Sequence, residues 1–126
     1  MTVNKTKTVT LRQLRIKTGV VQRLTKEISS YKKEAELQEQ RRQKMKEEGK
    51  EEYDIMKMGW VVQESLGMIP HCIRKLNIAS SELETLLENI SLEENDIESS
   101  KQMDLAKNQI SMAREKIKEE TPETQD

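Results

Sequence analysis

The chain has 126 residues, of which 36% are charged and only 33% hydrophobic, with Trp60, Tyr31 and Tyr53 as its aromatics and no Phe. That composition excludes a thick globular core and a second domain, leaving narrow seams of Leu, Ile, Val and Met between long helices. Formal net charge is −1, yet residues 1–50 carry 14 Lys or Arg against 6 acids and residues 51–126 carry 8 against 17.

Residues 1–10 (MTVNKTKTVT) are rich in Thr and Lys and show no helical period. They read as a mobile basic N-terminal arm. From Leu11 the period changes. Leu14, Val21, Ile28 and Ala35 fall seven apart, Leu24, Tyr31 and Met45 take the companion positions, and Ile16 and Val20 widen the stripe. Lys17, Gln38 and Arg42 interrupt it. The spacing predicts a first helix over about 11–48, with Thr10 as N-cap. Gly19 inside it costs about 1 kcal/mol relative to Ala.

Glu47-Glu48-Gly49-Lys50 ends that helix, because Gly49 accepts the left-handed conformation that other residues resist. Glu51 or Asp54 then opens a second helix over about 52–90, where acidic side chains suit the helix dipole. So short a connection makes the first two helices antiparallel neighbours, with Met45 beside Ile55 and Met58, and Tyr31 near Pro70.

The second helix carries the clearest pattern in the chain. Ile55, Val62, Ile69, Leu76, Leu83 and Ile90 are seven apart, with Met58, Ser65, Cys72, Ala79 and Leu86 three residues after the first five. Five heptads of this kind mark a helix buried along one seam. The register runs unchanged through Pro70, which predicts a kinked helix and not two separate ones. Gly67 gives the backbone slack there.

Two stretches, Ser91–Glu94 and Ser99–Gln102, fit the capping box that opens a third helix over about 97–118. Its seam reads Met103, Ala106, Ile110, Ala113 and Ile117. Residues 120–126, with Pro122, form a frayed polar tail. The expected architecture is all-α: an antiparallel three-helix bundle over residues 11–119 with coiled-coil-like seams and a shorter third helix. That helix runs out at the level of Pro70, leaving residues 32–69 as a two-helix hairpin. The hairpin carries Leu37, Met45, Met56, Met58, Trp60, Val61, Val62 and Leu66, more apolar surface than one seam can bury. Adaptable methionines beside a tryptophan suit a binding surface, and packing within the hairpin or a homodimer is the competing use.

Nothing in the sequence forms a catalytic constellation. His71 and Cys72 are adjacent and point about 100° apart on a helix, so they make no nucleophile–base pair. One His and one Cys are too few for a metal site, and there is no phosphate loop. No cofactor is expected. Arg41-Arg42 could touch phosphates, but aromatic residues do not interleave with the basic ones, so nucleic acid is not an expected partner. No apolar run approaches a membrane span and no signal-peptide core is present, so no membrane partner is expected. A single cysteine fits a reducing compartment. The expected place is the cytosol, and the expected business is binding. The charge asymmetry either fixes helix packing or gives a basic face that steers an acidic partner.

The run Arg15-Ile16-Lys17-Thr18-Gly19-Val20-Val21-Gln22-Arg23-Leu24-Thr25-Lys26-Glu27, the hairpin exit Tyr53-Asp54-Ile55, and Gln63-Glu64-Ser65 followed by Met68-Ile69-Pro70 resemble the tubulin-binding cofactor A family. Cys72, Arg74 and Leu76 continue the match, which covers about residues 12–118. The resemblance implies a non-catalytic, cytoskeleton-associated chaperone that binds and stores β-tubulin after chaperonin release and passes it toward αβ-heterodimer assembly. It implies β-tubulin as partner, with other tubulin-folding cofactors as a further option, and a monomer or weak homodimer. On that reading the candidate partner-binding residues are Arg15, Lys17, Arg23, Lys26, Lys32 and Lys33 on the first helix. Tyr53, Met56 and Trp60 are the candidates beyond the turn. The arm at residues 1–10, Met58-Gly59-Trp60 and His71 depart from the family's usual pattern. The alternative function is a structural coiled-coil or spectrin-like adaptor module.

Overall fold

The computed structural model describes residues 2–90 and 96–121, with side chains from Thr10 onward. Three helices follow one another: α1 (Thr2–Glu47), α2 (Glu52–Asn89) and α3 (Ile97–Glu120). There is no strand among the described residues. The all-α, three-helix expectation holds, with the third helix the shortest at 24 residues against 46 and 38.

One boundary differs from the sequence reading. Helix α1 starts at Thr2, so residues 2–10 are helical backbone, and Thr10 lies inside the helix instead of capping it. The physical reason is cooperativity. Extending an existing helix costs no new nucleus, and residues 2–10 contain neither Pro nor Gly to stop it.

The α1–α2 turn is the Schellman closure that Gly49 predicts. Gly49 has φ +69, its N–H donates to the Lys46 carbonyl at 3.1 Å, and the Lys50 N–H donates to the Met45 carbonyl at 3.0 Å. Two carbonyls left over at the end of α1 are thereby satisfied. The Ile55 N–H bonds the Glu51 carbonyl at 3.1 Å, placing Glu51 just ahead of the first turn of α2. At α3 the cap is Asp96, not either predicted box. Its carboxylate accepts from the Glu98 N–H at 3.3 Å and from the Ser99 hydroxyl at 2.8 Å. Ser99 is therefore inside the helix, and the Ser91–Glu94 box lies outside the described residues.

The chain divides into two compact units: Met1–Thr25 with Lys75–Asp126, and Lys26–Arg74. The first contains segments of all three helices. Leu11, Leu14, Val21 and Leu24 of α1, Leu76, Ala79 and Leu83 of α2, and Ala106 and Ala113 of α3 are buried in it. Ile16, expected to widen the stripe, is 57% exposed. Thr18 takes the place inside instead, because it continues the three-and-four spacing of Leu11, Leu14 and Val21. Its hydroxyl donates to the Leu14 carbonyl at 2.6 Å, so burial leaves it satisfied. Ser99 and Gln109 are buried as well, and Ser80 is buried with a hydroxyl that has no hydrogen-bond partner among the described residues.

The second unit is built from α1 and α2 alone. Ile28, Ala35, Val62, Ser65, Ile69 and Cys72 are its buried residues, and Tyr31, Met45, Ile55 and Met58 are partly covered. Helix α2 is continuous through Pro70. Pro70 and Leu66 both face solvent, so water can serve the Leu66 carbonyl that the proline leaves without a donor.

Candidate partner-binding site

Three polar residues interrupt the apolar stripe of α1, and each meets a feature of α2 that explains it. In the Lys26–Arg74 unit, Gln38 faces Ser65, the polar member of the α2 seam, whose hydroxyl donates to Gln38 Oε1 at 2.8 Å. Arg42 lies over Gly59, where an added Cβ would stand 3.4 Å from Arg42 Nε. Glycine thus leaves room for the guanidinium to cross the seam. In the other unit Lys17 reaches Glu82 at 3.4 Å. The first two fix the pairing of the hairpin close to the predicted register.

Arg42 also donates to Glu39 at 3.1 Å, and the Gln43 amide donates to the same carboxylate at 3.1 Å. Hydrogen bonds from Gln43 and then from Arg42 hold the Glu39 carboxyl below its ordinary pKa of 4.5. Beside this cluster lies an open groove of about 590 Å³, lined by Glu39, Arg42 and Lys46 of α1 and by Ile55, Met56, Gly59 and Trp60 of α2. A second, of about 360 Å³, lies on the opposite flank of the seam between Tyr31, Gln38, Val61 and Met68.

The apolar excess expected of the hairpin is present. Val62 is buried and Met45 and Met58 are partly covered, whereas Leu37, Met56, Trp60, Val61 and Leu66 face solvent. Tyr53 and Trp60 are each 57% exposed and Met56 46%. Their spacing of three and four residues sets all three along one outer face of α2. The Lys57 ammonium sits 5.3 Å from the centre of the Tyr53 ring, a cation–π contact that holds the ring at the surface.

The six basic candidates do not form one cluster. In the three-helix unit, Arg15 pairs with Glu98 and Lys17 with Glu82, so both are engaged within the chain, and Arg23 is exposed. In the hairpin unit Lys26, Lys32 and Lys33 are all exposed. Lys26 and Lys33, seven apart, share a face with Leu37, and Lys32 points about 100° away from Lys33. Lys26 and Lys33 make no ion pair among the described residues. Leu37, four residues beyond Lys33 and 56% exposed, is with Val61 and Leu66 an exposed apolar residue of the hairpin outside the candidate set. The signal that could have found it is its place opposite the Ala35–Gln38 seam.

Cys72 is buried while His71 is exposed, so the two do not meet. Among the described residues no group of three His, Cys, Asp or Glu could hold a metal ion, and no helix is long and apolar enough to cross a membrane.

Comparison with known proteins agrees with this architecture. A family model described as tubulin binding cofactor A matches residues 9–110. The tubulin-specific chaperone A of Gallus gallus is 53% identical over 79 residues, which cover 63% of this chain and 73% of that protein. Among solved structures, the Arabidopsis thaliana tubulin folding cofactor A aligns with a TM-score of 0.73 at 30% identity, covering 86% of this chain and 98% of its own. The human tubulin chaperone cofactor A aligns with a TM-score of 0.63 at 42% identity, covering 83% and 98%. With most of its length inside the family model and helices that overlay two solved members, the chain belongs to the tubulin-binding cofactor A family.

Proposed function

We propose that this chain is a non-catalytic tubulin-folding chaperone of the cytoplasm that binds β-tubulin after chaperonin release, stores it, and passes it toward αβ-heterodimer assembly. Family membership supports tubulin as the client, since the matched relatives carry that partner in their names. The single structural observation behind a binding role is the hairpin unit. Its two helices leave in solvent an aromatic and methionine face and two lysines, Lys26 and Lys33, that make no ion pair among the described residues, where a self-contained helical spacer would carry polar residues.

In this reading Tyr53, Met56 and Trp60 supply short-range apolar contact. Lys26, Lys32 and Lys33 raise the encounter rate with an acidic client. Arg15 and Lys17 contribute less, because their charge is already answered by Glu98 and Glu82. A bend at Pro70 would set the angle at which the hairpin meets its client. The deciding experiment is retention of purified α- and β-tubulin on the immobilised chain, each probed separately. Retention of β-tubulin, lost progressively with added salt, is the expected result. Equal retention of both subunits would remove the β-tubulin preference. Retention of neither, together with a stable high-order oligomer, would favour the adaptor reading.

A further inference from the structure

Helix α3 is held in the three-helix unit by side chains that bury little. Its buried residues are Ser99, Ala106, Gln109 and Ala113, whereas the buried Leu and Val side chains of that unit belong to α1 and α2. Met103, Ile110 and Ile117, the larger members of the expected α3 seam, are only partly covered, and Ile97, Leu105 and Met112 face solvent. Burial stabilises in proportion to apolar area, so two alanines contribute a small fraction of what the leucines of α1 and α2 contribute. The polar links do not make up the difference. Arg15 pairs with Glu98 and Arg114 with Glu84, and all four side chains are at least 40% exposed, where such pairs add little. Arg114 also donates to Asn77 at 3.1 Å and to Ser81 at 3.4 Å. Ser80 lies on the face of α2 that Arg114 crosses, three residues from Asn77 and four from Glu84. Its buried hydroxyl without a partner is a cost that the closed helix imposes and water would remove.

We propose that α3 is a detachable stopper, which leaves the bundle as one unit far more readily than α1 and α2 separate from each other. Opening gives up a thin seam and two exposed ion pairs, and it returns water to the Ser80 hydroxyl. The pairing of α1 with α2 survives, because the Lys26–Arg74 unit joins those two helices without any part of α3. What opening uncovers is not thin. Leu14, Leu76 and Leu83 have no exposed surface in the closed bundle, and two helices alone bury only one stripe each. The closed chain therefore withholds an apolar face that the opened chain presents. The two states differ by less than the free energy of global unfolding, so the opened one is a standing minor population of the native protein.

This goes beyond the tubulin reading and stands without it. The test is native-state hydrogen exchange of the full chain, followed amide by amide while urea is raised below the unfolding transition. Protected amides of α3 such as Ala106, Ile110 and Ala113 should exchange at least ~10-fold faster than those of Val21, Leu76 and Leu83, with a weaker dependence on urea. Val62→Ala weakens the α1–α2 pairing whether α3 is closed or open. It should speed exchange at Ile28 and Ile69 roughly tenfold and leave the α3 amides at their wild-type rates. Ser80→Ala removes the group that gains water on opening, so it should slow the α3 amides by about fivefold. The proposal is overturned if the α3 amides share the rates and urea dependence of Leu76 and Leu83, because the three helices then open together. It is equally overturned if Val62→Ala speeds the α3 amides as much as those of the hairpin, or if Ser80→Ala fails to slow them.

Discussion

The three-helix unit and the hairpin unit use stretches of the same two helices and differ in what covers them. Where α3 is present, Leu14, Leu76 and Leu83 have no exposed surface at all, and polar side chains such as Thr18 and Gln109 are taken inside with them. That unit also leaves Ile16, Ile78, Ile97, Leu105 and Met112 in solvent, but they sit on three different helices and include no aromatic. In the hairpin the buried set is thinner. Two helices make one line of contact, and Tyr53, Met56 and Trp60 stay outside it on consecutive turns. The lesson is geometric: with one neighbour a helix can bury one stripe, and a second stripe must find its partner elsewhere.

Substitutions can break or sharpen that contrast. The largest effect is expected at Leu83. Leu83→Ala should lower stability by about 3–5 kcal/mol in denaturant unfolding, because a closed three-helix core cannot collapse around the cavity. Val62→Ala in the hairpin should cost no more than about 1–2 kcal/mol, since it deletes less and the open seam can relax. Equal losses at the two sites would mean the hairpin is packed as firmly as the bundle. Next comes Pro70→Ala, which restores the donor to the Leu66 carbonyl. It should raise the free energy of unfolding by up to ~3 kcal/mol, and if β-tubulin retention falls at the same time the bend is part of the binding surface.

Smaller still is Trp60→Ala. Its effect on stability should stay within about 0.5 kcal/mol, with a clear loss of β-tubulin retention. A large loss of stability with retention unchanged would make Trp60 a packing residue. The smallest effect belongs to Glu39. Its folded pKa is depressed, so its contribution is fully present above the unfolded value of 4.5 and is lost as pH falls through the lower folded value. Comparing Glu39→Gln with wild type across that acidic window should show the two unfolding midpoints converging. A difference that persists below it would trace to packing and not to charge.

Much of this was legible before any coordinates. Of the eleven positions in the α2 heptads, Val62, Ser65, Ile69, Cys72, Leu76, Ala79 and Leu83 are buried and Ile55, Met58, Leu86 and Ile90, toward the two ends, are partly covered, because period is a direct consequence of one-sided burial. Gly49 was legible for a steric reason, as its positive φ is open mainly to glycine. Less visible was whatever depends on neighbours. Thr18 and Ile16 exchanged places because a stripe's edge is decided by the helix packed against it. The start of α1 was missed because Thr and Lys carry no apolar period, although they can extend a helix already begun. Asp96 lay between two better-looking boxes. Of the candidate binding residues, exposure of Tyr53, Met56 and Trp60 followed from there being too few helices to cover them. The ion pairs that occupy Arg15 and Lys17 join segments far apart in sequence, and no local pattern reports them.

The division of the chain has a kinetic corollary. One unit is an unbroken stretch, Lys26–Arg74, folded about the Gly49 turn, whereas the other joins Met1–Thr25 to Lys75–Asp126 across that stretch. Zipping the hairpin outward from its turn delivers Thr25 and Lys75 to the same place, so the distant segments meet with most of their loop entropy already spent. Lengthening the Gly49 turn with flexible residues should therefore slow the appearance of the three-helix core, although nothing in that core has been touched.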